Sequence, residues 1–428
     1  MMMKKIAIVS EHASPLALAG SVDSGGQNIY VAQTARQFAA AGHQVDIFTR
    51  RDGEFLPDVV AWRPNVRVIH VPAGPARYVP KEELLPYMDD FGAFLLRYFG
   101  RQARPYDVVH ANFFMSALAC LPAARRYGVP LAVTFHALGR VRRLHQREAD
   151  RFPDCRFQIE SDIVREADRI VAECPQDRRD LINLYDADPR RIRVVPCGYD
   201  PAEMAPMDAG TARRGLGWRE EEFRILQLGR MVPRKGVDNV IEALGVLQRR
   251  HGVAARLCVV GGNDVRPDER ATPELARLRR VAAQAGVADR VEFTGRRDRH
   301  ELCRYYCASD VFVTTPWYEP FGITPVEAMA CGRPVVGADT GGIRTTVKDG
   351  KTGFLVPARD PAALAERLAR LAGDAELCRR MGLAGARRAR RLFTWQQVAR
   401  DLLAVYDGLV DQARAPAMIA GRSEVLAA

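Results

Sequence analysis

The chain has 428 residues, of which 47% are hydrophobic and 27% charged, so its composition is that of a globular protein and excludes a disordered, collagen-like or coiled-coil chain. The length predicts two or three domains of ordinary size. Fifty-seven Arg and six Lys against 52 acidic residues give a net charge of +11, which favours an anionic ligand or nucleic acid without choosing between them.

Short β-branched runs alternate with longer helical patterns along the first half of the chain, which is typical of a parallel sheet with crossover helices. The predicted strands are Lys5–Ser10, Val45–Thr49, Val66–Val71, Asp107–His110, Leu131–Phe135, Arg169–Ala172 and Arg193–Val195. The predicted helices are Gln27–Ala41, Lys81–Phe99, Met115–Tyr127, Ile159–Ala167 and Gln176–Tyr185. The segment Pro196–Gly217 has prolines, glycines and no apolar run, so we expect an interdomain linker there.

The alternation restarts after this segment. The predicted strands are Arg224–Leu228, Arg256–Val260, Val291–Thr294, Val311–Thr314 and Pro334–Val336. The sequence therefore predicts an α/β protein of two facing doubly wound domains, residues 1–200 and 201–393, which bind ligands at the carboxyl ends of their strands. A last amphipathic helix is expected at about 394–412.

The nine cysteines are scattered without a C-x-x-C pair, so the sequence favours neither a disulfide framework nor a zinc site. Cys303 and Cys307 share a helical face, and we interpret them as packing thiols. Reduced cysteines indicate a cytoplasmic location. The N-terminal apolar run is too short for a secretion signal, and no stretch reaches the about 20 apolar residues that cross a bilayer. Peripheral membrane contact and oligomerisation stay open.

A glycine pair, Gly25 and Gly26, follows the first strand in the loop 23–28, and a helix is predicted directly after it. Glycines let the backbone approach a ligand closely, and the first amides of a helix can face an anion. The loop does not have the G-x-G-x-x-G pattern, and a plain tight turn explains it equally well.

Cations gather where the first strand of the second domain turns into a helix, at Arg230, Arg234 and Lys235. Arg can bind two oxygens at once and Lys supplies a compact charge, so the turn suits a diphosphate. A solvated basic turn is the alternative. The P-loop pattern is absent.

The stretch 315–329 contains two acidic residues, Glu319 in a loop and Glu327 near the start of a helix. Amides from Gly322 to Thr324 can form a helix N-terminus that holds a phosphate, while the two carboxylates accept hydrogen bonds from sugar and ribose hydroxyls. Glu327 alone is also explained as a first-turn charge that stabilises the helix dipole.

Taken together, these residues resemble the retaining glycosyltransferases of family 4, which have two Rossmann-like domains in the B-type fold. The matching residues are Glu319 and Glu327 for the family's E-x7-E motif, Arg230 and Lys235 for its diphosphate-binding pair, and Gly25 and Gly26 for its glycine loop. The resemblance implies that domain 1–200 binds the acceptor, that domain 201–393 binds a nucleotide sugar, and that the terminal helix crosses back to the first domain.

The resemblance also implies roles for single residues. His136, directly after a first-domain strand, would lie beside the reacting sugar, although a lone His there is by itself more typical of a structural residue. The expected donor-binding residues are Gly26, Gly229, Arg230, Lys235, Gly295, Arg296, Glu319, Phe321, Gly322, Ile323, Thr324 and Glu327. His136, Arg230, Lys235 and Glu319 are expected to act in catalysis. Because the cations would neutralise the leaving diphosphate, we expect front-face transfer with retention and neither a metal nor a cofactor.

Within the family, the sequence is most similar to the branch of sucrose-phosphate synthases, sucrose synthases and inositol-phosphate N-acetylglucosaminyltransferases, and UDP-glucose is the expected donor. The acceptor-binding residues that the branch implies are Gly25, Gln27, Asn28, Lys81, Ala137 and Arg156. Lys81 and Arg156 favour a phosphorylated sugar or polyol. Ala137 and Phe113, however, lack the hydroxyl that phosphate-binding members carry there, so an unphosphorylated acceptor stays open.

Arg140, Arg142, Arg143 and Arg147 follow His136 closely, and they are predicted either to add acceptor binding or to form a solvated loop. Three other functions rank below transfer. A nucleotide-sugar hydrolase or epimerase would need no acceptor cations, and a nucleic-acid-binding protein would show basic residues interleaved with aromatics. A nicotinamide dehydrogenase would show the G-x-G-x-x-G fingerprint.

Overall fold

The computed structural model of the chain describes residues 3–17, 25–219 and 221–425, with side chains up to residue 413. The strands in chain order are β1 Lys5–Val9, β2 Gln44–Arg50, β3 Val59–Arg63, β4 Val66–Val71, β5 Val108–Asn112, β6 Leu131–Thr134, β7 Arg169–Ala172, β8 Ile192–Val194, β9 Phe223–Leu228, β10 Ala255–Val260, β11 Val291–Gly295, β12 Val311–Thr314, β13 Val335–Ala338 and β14 Gly353–Val356.

The helices in chain order are α1 Gly26–Ala40, α2 Met88–Gly100, α3 Phe114–Tyr127, α4 Gly139–Gln146, α5 Cys155–Glu166, α6 Pro175–Tyr185, α7 Ala209–Leu216, α8 Val237–His251, α9 Pro273–Gln284, α10 Arg299–Ala308, α11 Ile323–Ala330, α12 Ile343–Thr346, α13 Pro361–Ala372, α14 Ala375–Leu392 and α15 Trp395–Val425. No described helix is both long enough and apolar enough to span a membrane.

The described part of the chain divides into two compact units. Unit 1 contains residues 3–17, 27–196 and the helix from residue 395 onward. Its strands follow the order β3-β4-β2-β1-β5-β6-β7-β8, and every strand pairs in parallel except β3, which is antiparallel to β4. Helix α3 packs on β5 and β6, and α2 packs on α3, which together bury the core of this unit. Because the strand order reverses between β1 and β5, the loops after these strands form the switch point where such sheets bind ligands.

Unit 2 contains Gly25, Gly26 and residues 197–219 and 221–394. Its strands follow the order β11-β10-β9-β12-β13-β14, and all of them pair in parallel. Helix α8 packs on β10, α9 and α13 around a second core. The strand order reverses between β9 and β12, so the loops after these two strands form the switch point of unit 2.

The last helix, α15, is part of unit 1 although it follows unit 2 in the chain. Trp395 is fully buried with its ring 5.9 Å from that of Tyr30. The hydroxyl of Tyr406 lies 2.6 Å from Nδ1 of His110 on β5. Burial lowers the pKa of His110 to about 3, so this ring is neutral and uncharged inside the core. The helix therefore completes the core of unit 1.

The α/β class and the two parallel-sheet units are confirmed, whereas two local predictions are wrong. The predicted helix 81–99 is two short 3-10 turns, Lys81–Glu83 and Leu85–Tyr87, followed by α2. Pro86 explains this, because proline lacks the N–H that a continuous helix needs. The second half of the predicted linker is helix α7, and the short strands β3 and β14 were not predicted.

Candidate active site

The loops after β9 and β12 lie together at the switch point of unit 2. Gly229 and Arg230 follow β9 directly, and the turn Pro233–Lys235 leads into α8. The ammonium of Lys235 forms an ion pair with the carboxylate of Glu319, which lies in the loop after β12. The structure therefore brings together two of the residues that the sequence predicted for the diphosphate and the sugar.

The two partners of this pair act on each other's ionisation. Burial lowers the pKa of Lys235, and the negative charge of Glu319 offsets part of that effect. Burial opposes ionisation of Glu319 as well, but the positive charges of Lys235 and Arg234 outweigh it, and the pKa of Glu319 is lowered. The pair thus holds a fixed cation at the switch point, beside a fixed anion.

Backbone contacts fix the geometry of these two loops. The hydroxyl of Thr315 donates to the carbonyl of Gly236 at 2.9 Å, and the N–H of Trp317 donates to the carbonyl of Arg234 at 2.9 Å. Gly236 has φ +67°, and a Cβ there would lie 2.1 Å from the carbonyl oxygen of Thr315. Only glycine therefore allows this approach, which places Lys235 next to the loop of Glu319.

Glu319 is held at its backbone by the loop after β13. The N–H of Gly342 donates to the Glu319 carbonyl at 2.9 Å, and a Cβ at Gly341 would lie 2.0 Å from the same oxygen. Three residues further along, Gly322 precedes the N-terminus of α11, which begins with Ile323 and Thr324. The first N–H groups of a helix have no partner within it, so this end of α11 can receive an anion.

Glu327, on α11, is 1% exposed and already has two partners. The hydroxyl of Tyr306 donates to its Oε2 at 3.0 Å, and Nη2 of Arg299 lies 2.8 Å from its Oε1. The carboxylates of Glu327 and Glu203 raise the pKa of Arg299 against the effect of burial. These contacts orient Glu327, and its oxygens retain lone pairs that a ribose hydroxyl could use.

The side chain of Phe321, a predicted donor-binding residue, packs inside unit 2. It is buried, and its ring lies 5.9 Å from that of Phe393 within unit 2. This contact anchors the loop in front of α11.

Backbone hydrogen bonds hold Gly295 and Arg296, two of the predicted donor-binding residues, near the ends of β10 and β11. The N–H of Gly261 donates to the carbonyl of Gly295 at 3.0 Å, and the N–H of Arg296 donates to the carbonyl of Asp264 at 2.7 Å. Gly295 and Arg296 thus lie at the same carboxyl edge of the sheet as Gly229.

The glycine pair at the start of α1, Gly25 and Gly26, belongs to unit 2. The Cβ position of Gly25 is 3.9 Å from Nε of Arg230, and that of Gly26 is 3.6 Å from the side chain of Ile323. The pair therefore lies next to two predicted donor-binding residues. Asp23 and Ser24 of the same predicted loop lie outside the described residues.

In unit 1, His136 lies directly behind β6 with a positive φ of 57°. Its Nδ1 is 2.9 Å from Oε1 of Glu173, and its Nε2 is 3.0 Å from Oδ1 of Asn112. The ring packs edge-on against Tyr30, with centroids 4.9 Å apart. Glu173 directly follows β7, and Asn112 is the last residue of β5; these two strands flank β6 in the sheet. The ends of three strands therefore meet at this imidazole.

The partners of His136 present oxygen atoms to both nitrogens of its ring. The amide nitrogen of Asn112 faces the carbonyls of Val9 and His110, at 3.5 and 3.3 Å, so its oxygen faces the ring. Both ring nitrogens thus face oxygen atoms. Our sequence analysis missed Glu173 and Asn112; their position after adjacent parallel strands was the available signal.

Gln27 and Asn28 support the loop after β1. Nε2 of Gln27 donates to the carbonyl of Asn112 at 3.1 Å, and Nδ2 of Asn28 donates to the carbonyl of Ser14 at 3.0 Å. The same loop contains Glu11 and His12, which we did not predict, with Nδ1 of His12 at 2.7 Å from the Glu11 carboxylate. These polar groups lie at the switch point of unit 1.

Arg156, which we predicted to bind the acceptor phosphate, lies in the interior of unit 1, and its Nη1 has no hydrogen-bond partner among the described residues. It is completely buried, and its Nε donates to Glu160 at 2.7 Å. Its guanidinium lies within 4.5–5.0 Å of the ring centres of Phe113, Phe114 and Phe152 and also donates to the carbonyl of Ala137. An arginine enclosed in this way is stabilised by its aromatic and carboxylate neighbours.

The other predicted cations of unit 1 lie among acidic residues. Nζ of Lys81 is 3.9 Å from Glu82. Arg142 donates to Asp150 at 2.7 Å, and Arg143 donates to Asp154 at 2.6 Å. Two of the four arginines after His136, Arg142 and Arg143, are thus paired with neighbouring carboxylates.

Two groups of described residues have the composition of a metal site. Asp298, His300 and Glu301 form one of them, but Asp298 and Glu301 already cap the start of α10. Cys303, Cys307 and Cys331 form the other. Neither group includes Lys235, Glu319 or His136.

Comparison with known proteins agrees with this organisation. Residues 24–203 match the model "Glycosyltransferase Family 4", and residues 208–388 match "Glycosyl transferases group 1". A D-inositol 3-phosphate glycosyltransferase from Acidothermus cellulolyticus is 38% identical over 418 residues, covering 96% of this chain and 91% of the relative. A similar enzyme from Salinispora tropica is 38% identical over 423 residues, covering 96% and 86%.

Among solved structures, sucrose-phosphate synthase from Thermosynechococcus elongatus has a TM-score of 0.87 at 32% identity and covers 96% of this chain and 100% of its own. Anabaena HepE in complex with UDP-glucose has a TM-score of 0.73 at 20% identity, covering 95% and 100%, and thus shares the fold. With full-length relatives of this similarity and a fold of two parallel-sheet units, the chain belongs to family 4 of the glycosyltransferases.

Proposed function

We propose that this glycosyltransferase moves a hexosyl group from a nucleotide sugar, with UDP-glucose as the favoured donor, to a hydroxyl of a small sugar or polyol. Unit 2 would bind the donor and unit 1 the acceptor. The observation that carries the proposal is the Lys235–Glu319 pair at the switch point of unit 2, in which Glu319 lies four residues before the start of α11.

The pair supports this function because the charges match what the reaction requires. As the glycosidic bond breaks, negative charge grows on the leaving nucleoside diphosphate. Lys235 and Arg230 would stabilise that charge, and the amides of Ile323 and Thr324 would add hydrogen bonds to it. Glu319 would bind hydroxyls of the transferred sugar, since a carboxylate only accepts hydrogen bonds. With two cations supplied by the protein, we propose that transfer needs no metal ion.

The proposed chemistry breaks the bond from the anomeric carbon to the diphosphate oxygen and forms a bond to the acceptor oxygen on the same face. The proton of the acceptor hydroxyl passes to the departing diphosphate. This path retains the anomeric configuration without a covalent sugar–enzyme intermediate, so we nominate no nucleophile.

Glu327 would bind the ribose, and its orientation by Tyr306 and Arg299 supports that role. Gly229, Gly295 and Arg296 would lie beside the base. His136 would act at the transferred sugar, since its ring is held by Glu173 and Asn112 at the carboxyl edge of the sheet of unit 1.

The acceptor is best explained as an unphosphorylated sugar or polyol, although the relatives are named for inositol phosphate and sucrose phosphate. Arg156 is enclosed by three aromatic rings and pairs with Glu160, and its Nη1 has no hydrogen-bond partner among the described residues. Phe113 and Ala137 offer no hydroxyl beside it. Lys81 is the cation that a phosphorylated acceptor would still find among the predicted acceptor residues.

An array of nucleotide sugars against phosphorylated and unphosphorylated acceptors, read by nucleoside diphosphate release and product mass, tests the proposal. We expect release that depends on both UDP-glucose and a sugar or polyol without phosphate. Release that needs no acceptor would indicate a hydrolase instead, and a product formed only from phosphorylated acceptors would contradict the assignment of the acceptor.

We also propose that the enzyme acts in the cytoplasm, since its nine cysteines are free thiols.

A further inference from the structure

Three cysteines of unit 2 converge, although they are far apart in sequence. Cys303 and Cys307 lie one turn apart on the same face of α10, and Cys331 directly follows α11. The three sulfurs all lie within 4.8 Å of one another, and those of Cys303 and Cys331 are 3.9 Å apart. We call Cys303, Cys307 and Cys331 the thiol triad.

This spacing suits a metal ion. Two thiolate sulfurs bound to the same Zn²⁺ at about 2.3 Å each lie about 3.8–4.0 Å from one another, depending on whether the site is tetrahedral or trigonal. The triad therefore needs only small side-chain adjustments to close around an ion. We propose that the thiol triad binds one thiophilic cation of the Zn²⁺ type, with the three cysteines as its thiolate ligands.

The fold holds the ligands in place before an ion arrives. Tyr306, next to Cys307 on α10, donates to Glu327 on α11, and Arg299 at the start of α10 pairs with the same carboxylate. These contacts fix the two helices against each other. A preformed site of this kind loses little conformational entropy on binding.

The surroundings of the triad also favour thiolates. Binding of an ion by three thiolates releases the three thiol protons to solvent. Arg333 donates to the carbonyl of Cys331 at 3.3 Å, which adds positive charge close to the triad.

Access and a fourth ligand are both available. Cys303 is partly exposed, whereas Cys307 and Cys331 are buried, so an ion would enter on the side of Cys303. The carbonyl of Ala205 lies 3.3 Å from the sulfur of Cys303 and 3.5 Å from that of Cys307. This oxygen, or a water on the exposed side, can complete a four-coordinate site.

The test uses the full-length protein, freed of metal with a chelator and kept reduced by a phosphine. Zn²⁺ is titrated against a chromophoric chelator, and Co²⁺ is used as a spectroscopic substitute. We expect one tightly bound Zn²⁺ per chain and a thiolate-to-Co²⁺ charge-transfer band. Cys303→Ser should weaken Zn²⁺ binding at least about 100-fold, because a direct ligand is lost. Cys155→Ser, which changes an exposed thiol in unit 1, should leave it unchanged.

A second measurement needs no variant of the triad. Zn²⁺ should slow alkylation of Cys303 in the unmodified protein and leave alkylation of Cys155 at the same rate. The proposal is wrong if Zn²⁺ does not slow the alkylation of Cys303, if Cys303→Ser binds Zn²⁺ as tightly as the unmodified protein does, or if the Co²⁺ complex shows no thiolate charge-transfer band.

Discussion

Replacement of Lys235 by alanine tests the proposed role of the Lys235–Glu319 pair most directly. The substitution removes the ammonium and leaves the Glu319 carboxylate in a largely buried position without its ion-pair partner. Removal of one preorganised charge that stabilises a transition state lowers kcat by about 100- to 1000-fold, or roughly 2.7–4 kcal/mol. We expect a loss of this size for K235A with UDP-glucose and the acceptor that the array identifies.

The same substitution also affects stability, and the two effects must be separated. An unpaired buried carboxylate costs about 3–5 kcal/mol when solvent is fully excluded. The side chains of Lys235 and Glu319 are 22% and 13% exposed, so solvent screens part of this cost, and we expect about 1–3 kcal/mol. Urea unfolding measures this loss independently of turnover.

The double variant K235A/E319Q is the control. It removes both charges, so its free energy of unfolding should return to within about 1 kcal/mol of the unmodified protein. Its kcat should stay at least about 100-fold reduced, because the charge that stabilises the leaving group is still missing. If K235A/E319Q recovers activity together with stability, Lys235 supports only the fold. A kcat of K235A within tenfold of that of the unmodified protein would also refute the reasoning.

Three further predictions concern stability. Burial, aided by the neighbouring carboxylate of Glu173, raises the pKa of Asp177 to about 8, well above its value of about 3.9 in the unfolded chain. Because the folded state therefore binds an extra proton, the free energy of unfolding should fall as pH rises from about 4 to 8. D177N should flatten that decline when urea unfolding is measured at a series of pH values. G252A adds only the strain of a positive φ, about 1–2 kcal/mol, whereas G236A also places a Cβ 2.1 Å from a carbonyl oxygen. G236A should therefore lower Tm more than G252A does, and an equal fall in Tm for the two variants would contradict this. Y406F removes the group 2.6 Å from the buried His110 ring and should cost about 1–3 kcal/mol in urea unfolding, with no loss expected if that contact is absent.

Most strands and the residues at their carboxyl ends could be predicted from the sequence, because buried parallel strands leave a clear apolar pattern. Lys235 and Glu319 are an example: each follows a predicted strand, and the parallel order of β9 and β12 brings them together. Helix 81–99 could not be predicted correctly by apolar periodicity alone, since Pro86 acts on the backbone and leaves that pattern intact.

Other features depend on packing, which the sequence pattern does not contain. Arginine is almost always exposed, so nothing in the sequence indicated that Arg156 would be enclosed by aromatic rings. Cys331 is 24 residues away from Cys307, and only the contact of α10 with α11 brings their sulfurs together. Prediction of the partners of His136 would likewise have required the order of β5, β6 and β7 in the sheet.

The position of α15 determines the order in which the chain can fold during synthesis. Unit 1 is interrupted by unit 2, so the surface that receives Trp395 and Tyr406 stays uncovered while about 200 further residues are made. At about 5–20 residues per second, this delay is on the order of 10–40 s. Unit 2 is almost continuous in sequence and can finish first, whereas the first unit to emerge from the ribosome is the last to be completed.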